Sequence, residues 1–452
     1  MGRKLFGTDG IRGLANEGSM SPEVAFRIGA AITYQVRQRV SHQPRVVIGK
    51  DTRLSGYLFE QAIGAGVCAQ GGFGMLSGPL PTPAIAHLTT SMRADAGIVI
   101  SASHNPYGDN GIKIFGHDGY KLPDAAEEEL ESLIEGTTID EDRPTGMGVG
   151  RMERLDSAPG RYVAFVKQSF PPDLTLEGLR IVVDAAHGAA YRVAPAVFYE
   201  LGAEVTAIGV SPNGRNINDG YGAVNPEACA REVRQSGADL GVALDGDADR
   251  VIVVDETGAQ VDGDAIMALC ATRLLRAGRL NKGTLVTTVM SNLGLERALQ
   301  SAGGRLLRTA VGDRYVVEAM RNEGCNFGGE QSGHMIFLDH ASTGDGLVAA
   351  LQLLTIVLRE DRPLSELAKS AMERVPQVLV NARLTERRPL EEMPRTLAAV
   401  KVAEEQLGSD GRVVIRWSGT EPKLRVMVEG IDRAAIEALA QTIAEEAKAE
   451  LA

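Results

Sequence analysis

The chain is poor in aromatic residues, 4% of 452 with a single Trp, and it has no excess of positive charge. Its 47 Lys and Arg stand against 59 Asp and Glu, a formal net charge of −12. Such a balance excludes nucleic acid or an anionic membrane as the main partner, because phosphates would be repelled overall. A phosphorylated small molecule stays compatible where local Arg, Lys, backbone N–H groups or a metal meet its charge. Cysteine is scarce too. Cys68, Cys229, Cys270 and Cys325 form no CxxC pair, so there is no zinc or redox motif, and reduced structural thiols are expected. Long hydrophobic runs are missing. The longest helical apolar run, Leu347 to Leu358, is interrupted by Gln352 and is too short for a bilayer. Met1 to Gly10 lack a signal-peptide core, and Phe6 stands where N-myristoylation needs Ser or Thr. Stretches such as Gly71-Gly72 lack the dinucleotide fingerprint, which leaves a nicotinamide cofactor unsupported. The expected setting is cytoplasmic.

Glycine is abundant, 52 residues in a chain that is 44% hydrophobic and 23% charged. That composition suits an α/β protein with many tight strand-to-helix turns, and the length suggests about three domains or four. Short apolar runs alternate with amphipathic stretches, the βα pattern. Strands are expected at 45–48, 96–100, 179–183, 239–244, 284–288 and 325–328, with helices at 57–70, 124–134, 194–201, 264–275, 293–301 and 346–358. Breaks in the pattern divide the chain into units 1–150, 151–257, 258–370 and 371–452, the last a smaller β-α-β-β-α unit. The expected fold is three similar mixed-sheet α/β domains plus a smaller C-terminal α+β domain around a central cleft.

Five segments carry chemistry. Ser101-Ala102-Ser103-His104-Asn105-Pro106 follows a strand and precedes Lys113. A serine hydroxyl is a weak nucleophile alone, and His104 or Lys113 can assist it. Asp245, Asp247 and Asp249, followed by Arg250, alternate in a way that suits a hard oxygen-liganded cation such as Mg²⁺ or Ca²⁺. An EF-hand fails because Arg250 takes the place of the required Gly, and 251–254 reads as a buried strand. Glu330, Ser332 and His334, around Gly333, can hydrogen-bond vicinal sugar hydroxyls. Arg416, Ser418, Gly419 and Thr420, with Arg425 nearby, suit a phosphate: the glycine lets N–H groups converge and the arginines add bidentate charge. Near the N-terminus, Phe6 to Gly13 offers Arg12 in a Gly-rich loop. Each segment alone also reads as a polar turn. The strand-then-loop order puts three of them at the carboxyl ends of strands, where open α/β sheets bind ligands.

Taken together and in this order, the motifs resemble those of the α-D-phosphohexomutases over essentially the whole chain. The 6–13 segment, Val311-Gly-Asp-Arg-Tyr315 and Gln331 resemble the branch that acts on glucosamine phosphates. The resemblance implies reversible conversion of glucosamine 6-phosphate to glucosamine 1-phosphate, feeding UDP-N-acetylglucosamine and peptidoglycan synthesis. It implies a phosphoserine at Ser103, primed by phosphorylation or by a sugar bisphosphate, and one Mg²⁺ per subunit held by Asp245, Asp247, Asp249 and a phosphoserine oxygen. Glu330 and Ser332 would bind the sugar. Arg416, Ser418, Gly419, Thr420 and Arg425 would bind its unreactive phosphate. Arg12, His104, Lys113, Arg250 and His334 would line the cleft, with Lys113 the leading acid/base candidate. A homodimer is also implied. Ala248 departs from the Gly commoner in this branch. The rival activities are a phosphomannomutase or phosphoglucomutase, a Mg²⁺-dependent phosphatase and a non-catalytic sugar-phosphate sensor.

Overall fold

Val46, Val47 and Ile48 are all fully buried in the middle of one strand, the pattern of a parallel sheet covered on both faces by helices. The computed structural model describes residues 5–7, 9–418 and 423–451. Its first sheet contains β1 (Ile11–Leu14), β2 (Arg45–Lys50), β3 (Phe73–Pro79), β4 (Ala96–Ile100), β5 (Asp109–Gly116) and β6 (Arg151–Arg154), in the order β1-β5-β4-β2-β3-β6. The second holds β7 (Arg180–Asp184), β8 (Glu204–Ile208), β9 (Leu240–Leu244), β10 (Val251–Asp255) and β11 (Gln260–Val261), ordered β11-β10-β9-β7-β8. The third comprises β12 (Thr284–Thr288), β13 (Arg305–Thr309), β14 (Phe327–Gly329) and β15 (Met335–Phe337), ordered β13-β12-β14-β15.

These three sheets share one plan. In each, a parallel triplet is followed by a strand that returns antiparallel to the triplet's last member: β3-β2-β4 then β5, β8-β7-β9 then β10, and β13-β12-β14 then β15. The connection from that last parallel strand to the antiparallel one is where the serine, aspartate and glutamate motifs lie. The expected three similar mixed-sheet α/β units are therefore present, and their motifs occupy equivalent positions. β6 pairs with β3 in the first sheet, so that sheet extends past residue 150.

A fourth sheet, β16 (Gln377–Arg383), β17 (Arg412–Trp417) and β18 (Lys423–Glu429), is wholly antiparallel in the order β16-β18-β17. It packs with helices Pro394–Leu407 and Arg433–Glu450, giving the expected smaller α+β unit. One continuous apolar core runs through the first three units, from Val47 and Leu88 through Phe198 and Val242 to Leu285 and Leu354. The C-terminal unit keeps a separate core around Val426, Ile436 and Ile443. Among the described residues, no helix is long and apolar enough to cross a membrane.

Candidate active site

The three equivalent loops meet. Ser103 leaves β4 in the left-handed region, φ 51°, and its Oγ donates to Asp245 Oδ2 at 2.6 Å. Its hydroxyl also lies 3.3 Å from His104 Nδ1, which is 3.1 Å from Arg250 Nη1. A guanidinium can only donate, so Nδ1 accepts and the ring proton sits on Nε2. Burial, then Arg250 and Arg12, push His104 down to about 4, which keeps the ring neutral near pH 7.

Asp245, Asp247 and Asp249 are buried, and a ligand atom from each lies within 4.8 Å of the others. Burial first, then Asp249 and Asp247, raise the Asp245 carboxyl to about 8. Lys113, on β5, answers part of this charge. Its Nζ is 3.0 Å from Asp247 Oδ2, 3.2 Å from Asp249 Oδ2 and 3.2 Å from Asp9 Oδ2. Burial opposes its charge, but Asp247, Asp9 and Asp249 outweigh it and hold the ammonium well above its usual range. Asp247 Oδ1 and Asp249 Oδ1 are nonetheless buried without a hydrogen-bond partner among the described residues. Converging hard carboxylate oxygens with free lone pairs, one of them on the Asp245 carboxyl whose pKa burial and its neighbours' charge raise, fit a cation of the Mg²⁺ type. The loop turns at Ala248, φ 56°.

The third loop reaches the second through a single β-bridge between Arg250 and His334, with Val251 N donating to Gly333 O at 3.0 Å. His334 Nδ1 is 3.6 Å from Asp249 Oδ1, and Nε2 is 3.5 Å from Asp313 Oδ2. Burial opposes protonation there, yet those carboxylates raise its pKa. Glu330 Oε1 accepts from Gly312 N at 3.1 Å, and Ser332 Oγ donates to Oε2 at 3.4 Å. In the C-terminal unit, Arg416 and Arg425 stand directly opposite on β17 and β18, and the Nε of each is buried with no hydrogen-bond partner among the described residues. Burial and Arg425 push the Arg416 guanidinium down while Glu330 opposes them, so the Glu330 loop lies within electrostatic reach of Arg416. Ser418 is buried and its N donates to Lys423 O at 2.8 Å. Gly419 and Thr420 lie outside the described residues. Arg12, on β1, pairs with Asp9 and points Nη1 at Ala102 O, 3.5 Å away.

Several side chains join the site without having been singled out in the sequence. Asp9 receives Arg12, Lys113 and Lys121, and Lys121 Nζ reaches Asp313 Oδ2 at 2.6 Å. Both acids lie inside the quoted segments at 6–13 and 311–315, so a count of titratable residues there would have found them. Thr82 begins helix Thr82–Ser91; its Oγ1 donates to Asp247 Oδ2 at 2.6 Å and its N to Asp247 O at 2.9 Å. Thr82, like Arg53 and Asn218 behind the serine loop, carries no local signal.

The comparisons agree with this geometry. The chain matches the phosphoglucomutase/phosphomannomutase alpha/beta/alpha domains I, II and III over residues 3–140, 160–258 and 262–375, and the C-terminal domain over 379–446. It is 66% identical to a phosphoglucosamine mutase of Sorangium cellulosum over 451 residues, covering 100% of this chain and 94% of the relative. A phosphoglucosamine mutase of Anaeromyxobacter is 61% identical, with 98% and 95% covered. A phosphoglucomutase/phosphomannomutase family protein of Burkholderia thailandensis superposes with a TM-score of 0.82 at 25% identity, covering 100% and 98% of the two chains. Four matched domains in order, relatives alike over almost their whole length and a site where three equivalent loops meet establish that the chain belongs to the phosphoglucomutase/phosphomannomutase family of α-D-phosphohexomutases.

Proposed function

We propose that the protein interconverts glucosamine 6-phosphate and glucosamine 1-phosphate through a phosphoserine at Ser103 and a bisphosphorylated sugar. The observation that carries the reaction is the meeting of Ser103 Oγ with the aspartate triad, 2.6 Å from Asp245. The choice of sugar rests on the 66% and 61% identical relatives named phosphoglucosamine mutase.

Phosphoryl transfer depends on positioning and charge neutralisation. Arg416 and Arg425 grip the phosphate that does not react, joined by Ser418, Gly419 and Thr420. Glu330, Ser332 and His334 take the sugar hydroxyls and orient the free one towards the phosphoserine. That hydroxyl oxygen bonds to phosphorus as the bond from phosphorus to Ser103 Oγ breaks; Oγ keeps the electron pair and takes up a proton, and the hydroxyl gives one up. Lys113 is assigned this proton traffic: its ammonium, held charged, protonates the departing oxygen, and the amine left behind takes the proton that the attacking hydroxyl gives up. Arg12, His104 and Arg250 donate to or border the transferring group. Asp245, Asp247 and Asp249 would hold Mg²⁺ together with a phosphoserine oxygen. Bound there, Mg²⁺ supplies positive charge that offsets the phosphoryl oxygens. After the sugar turns in the cleft, its other phosphoryl group returns to Ser103, which restores the starting enzyme.

The same reading carries one ion per subunit, priming of Ser103 by phosphorylation or a sugar bisphosphate, a cytoplasmic setting and a homodimer. It also takes the units ending near 150, 257 and 370 as domains, with β6 assigned to the first by its pairing. The test compares kcat/KM for glucosamine, glucose and mannose 6-phosphates while monitoring free phosphate. Preference for glucosamine phosphate with isomer formed and no phosphate released is expected. A preference for glucose or mannose phosphate would overturn the sugar assignment, and stoichiometric phosphate release would make the protein a phosphatase.

A further inference from the structure

The serine loop is held from behind by two side chains that the reaction above leaves unused. Arg53 is fully buried beside Asp51, which is also buried. Asp51 accepts from Arg53 Nη1 and from the Arg53 backbone N at 2.9 Å. Thus anchored, Arg53 Nη2 donates to Ser103 O at 3.2 Å and to Asn105 O at 2.5 Å. Asn218 approaches the same two oxygens from the second unit, and its Nδ2 donates to Ser103 O at 2.9 Å and to Asn105 O at 3.3 Å. A carbonyl oxygen has two lone pairs, and each of these carbonyls receives one donor from each unit. Gly246 makes the approach possible, since a Cβ there would lie 2.6 Å from Ser103 O and 2.9 Å from Asn218 Nδ2.

The loop needs holding. Ser103, Asn218 and Ala248 all sit in the left-handed region, at φ 51°, 60° and 56°, a conformation costly for side chains with a Cβ and kept only where surroundings enforce it. Ser101 Oγ accepts from Ser103 N at 2.9 Å, so the peptide groups on both sides of the reactive residue are fixed while its Oγ faces Asp245.

We propose that Arg53 and Asn218 are positioning residues which clamp the Ser103 and Asn105 carbonyls from two different units and so hold the reactive oxygen over the aspartate triad. Neither touches the transferring group. Their effect is on the transfer step: a displacement of about 1 Å at a reacting atom can cost about 100-fold in rate. Binding of the sugar phosphate, made by the Glu330 and Arg416 regions, is left alone. This inference rests on Ser103 being the phosphoryl carrier.

Asn218→Gly tests it, because glycine adopts the left-handed backbone freely and removes only the donor. Wild-type and variant protein are phosphorylated with a radiolabelled sugar bisphosphate, mixed with glucosamine 6-phosphate and quenched on the millisecond scale. The single-turnover rate constant is read from labelled molecules alone, so a misfolded fraction lowers the amplitude and not the rate. A merely structural Asn218 would change only the amplitude. The clamp predicts a rate constant about 10- to 100-fold lower in Asn218→Gly, with the half-saturating sugar phosphate concentration within about threefold of wild type. Arg53→Lys, which keeps a cation beside Asp51, should slow transfer in the same way. A variant rate constant within twofold of wild type overturns the clamp while leaving Ser103 as carrier. Wild-type protein that takes up no transferable label at Ser103 overturns the carrier reading itself.

Discussion

Arg416 and Arg425 face each other across paired strands with Nε atoms that have no partner among the described residues, an arrangement that penalises the empty protein and, on the proposed function, rewards a bound phosphate dianion. Like charges directly opposite in a sheet are destabilising, by up to about 1 kcal/mol. Arg425→Gln should therefore raise the stability of the ligand-free protein slightly in urea unfolding. It should also raise KM for the sugar phosphate about 10- to 100-fold through loss of a charge-assisted hydrogen bond; an unchanged KM would remove Arg425 from the phosphate site. Asp264 gives a pH signature of its own. It is buried, and its Oδ2 accepts from Asn292 N at 2.9 Å while Oδ1 has no partner among the described residues. Burial is the main cause that lifts its carboxyl from 3.8 to about 6. A raised folded-state pKa means the folded protein binds the proton more tightly. Its contribution is then complete below about pH 4 and lost as pH rises through about 6, a change of about 3 kcal/mol. Asp264→Asn should gain on wild type by about 2 kcal/mol between pH 4.5 and 7.5, and a pH-independent difference would refute the assignment. Residues such as Ser103, Asp247 and Arg416 were legible because short motifs announce them. Thr82 and Asn218 were not, because their partners lie 165 and 115 residues away and a Thr or Asn gains its meaning only from the contact.

At the scale of elements, the site is one loop used three times, each joining the last strand of a parallel triplet to its antiparallel neighbour. Gly333 shows how tightly the loops are joined. It has φ 90° and packs against the Val251 carbonyl with no room for a Cβ. Gly333→Ala should cost more than about 1 kcal/mol and lower kcat/KM at least tenfold, because the bridge from Arg250 to His334 cannot close around it. Retention of full activity would show that the second and third loops need not touch. Helix Leu293–Ser301 was readable to the residue, since the Asn292 side chain caps it by accepting from Gly294 N and Gly303-Gly304 follow it. β4 and β12 were equally readable as uninterrupted buried runs. β6 escaped because Arg151–Arg154 has only the partly buried Met152 to mark it; its strand character comes from pairing with β3. The C-terminal β-α-β-β-α order was plain in the sequence, whereas the placement of β18 between β16 and β17 depends on long-range pairing that no local pattern encodes.

Across the whole molecule, three units share one core and the fourth keeps its own. The junction is polar: Asn292 exchanges hydrogen bonds with Val375 N and O, at 3.0 and 2.9 Å, and donates to Glu429 at 3.0 Å. A directional polar junction between separate cores suits movement of the C-terminal unit as a body, which would permit the turn of the sugar that the proposed mechanism calls for. The aspartate triad adds a global signature. Mg²⁺ that relieves its repulsion binds only the folded protein, so it should raise Tm by a few degrees in metal-free samples. Asp247→Asn should lose most of that shift, and a Tm indifferent to Mg²⁺ would argue against the triad as a metal site. The most direct test of the account is the rate of glucosamine 6-phosphate to glucosamine 1-phosphate conversion by Ser103→Ala, with sugar bisphosphate and Mg²⁺ supplied. Loss of turnover with a folded structure and intact sugar-phosphate binding is predicted; near-normal mutase activity in that variant would contradict the central claim.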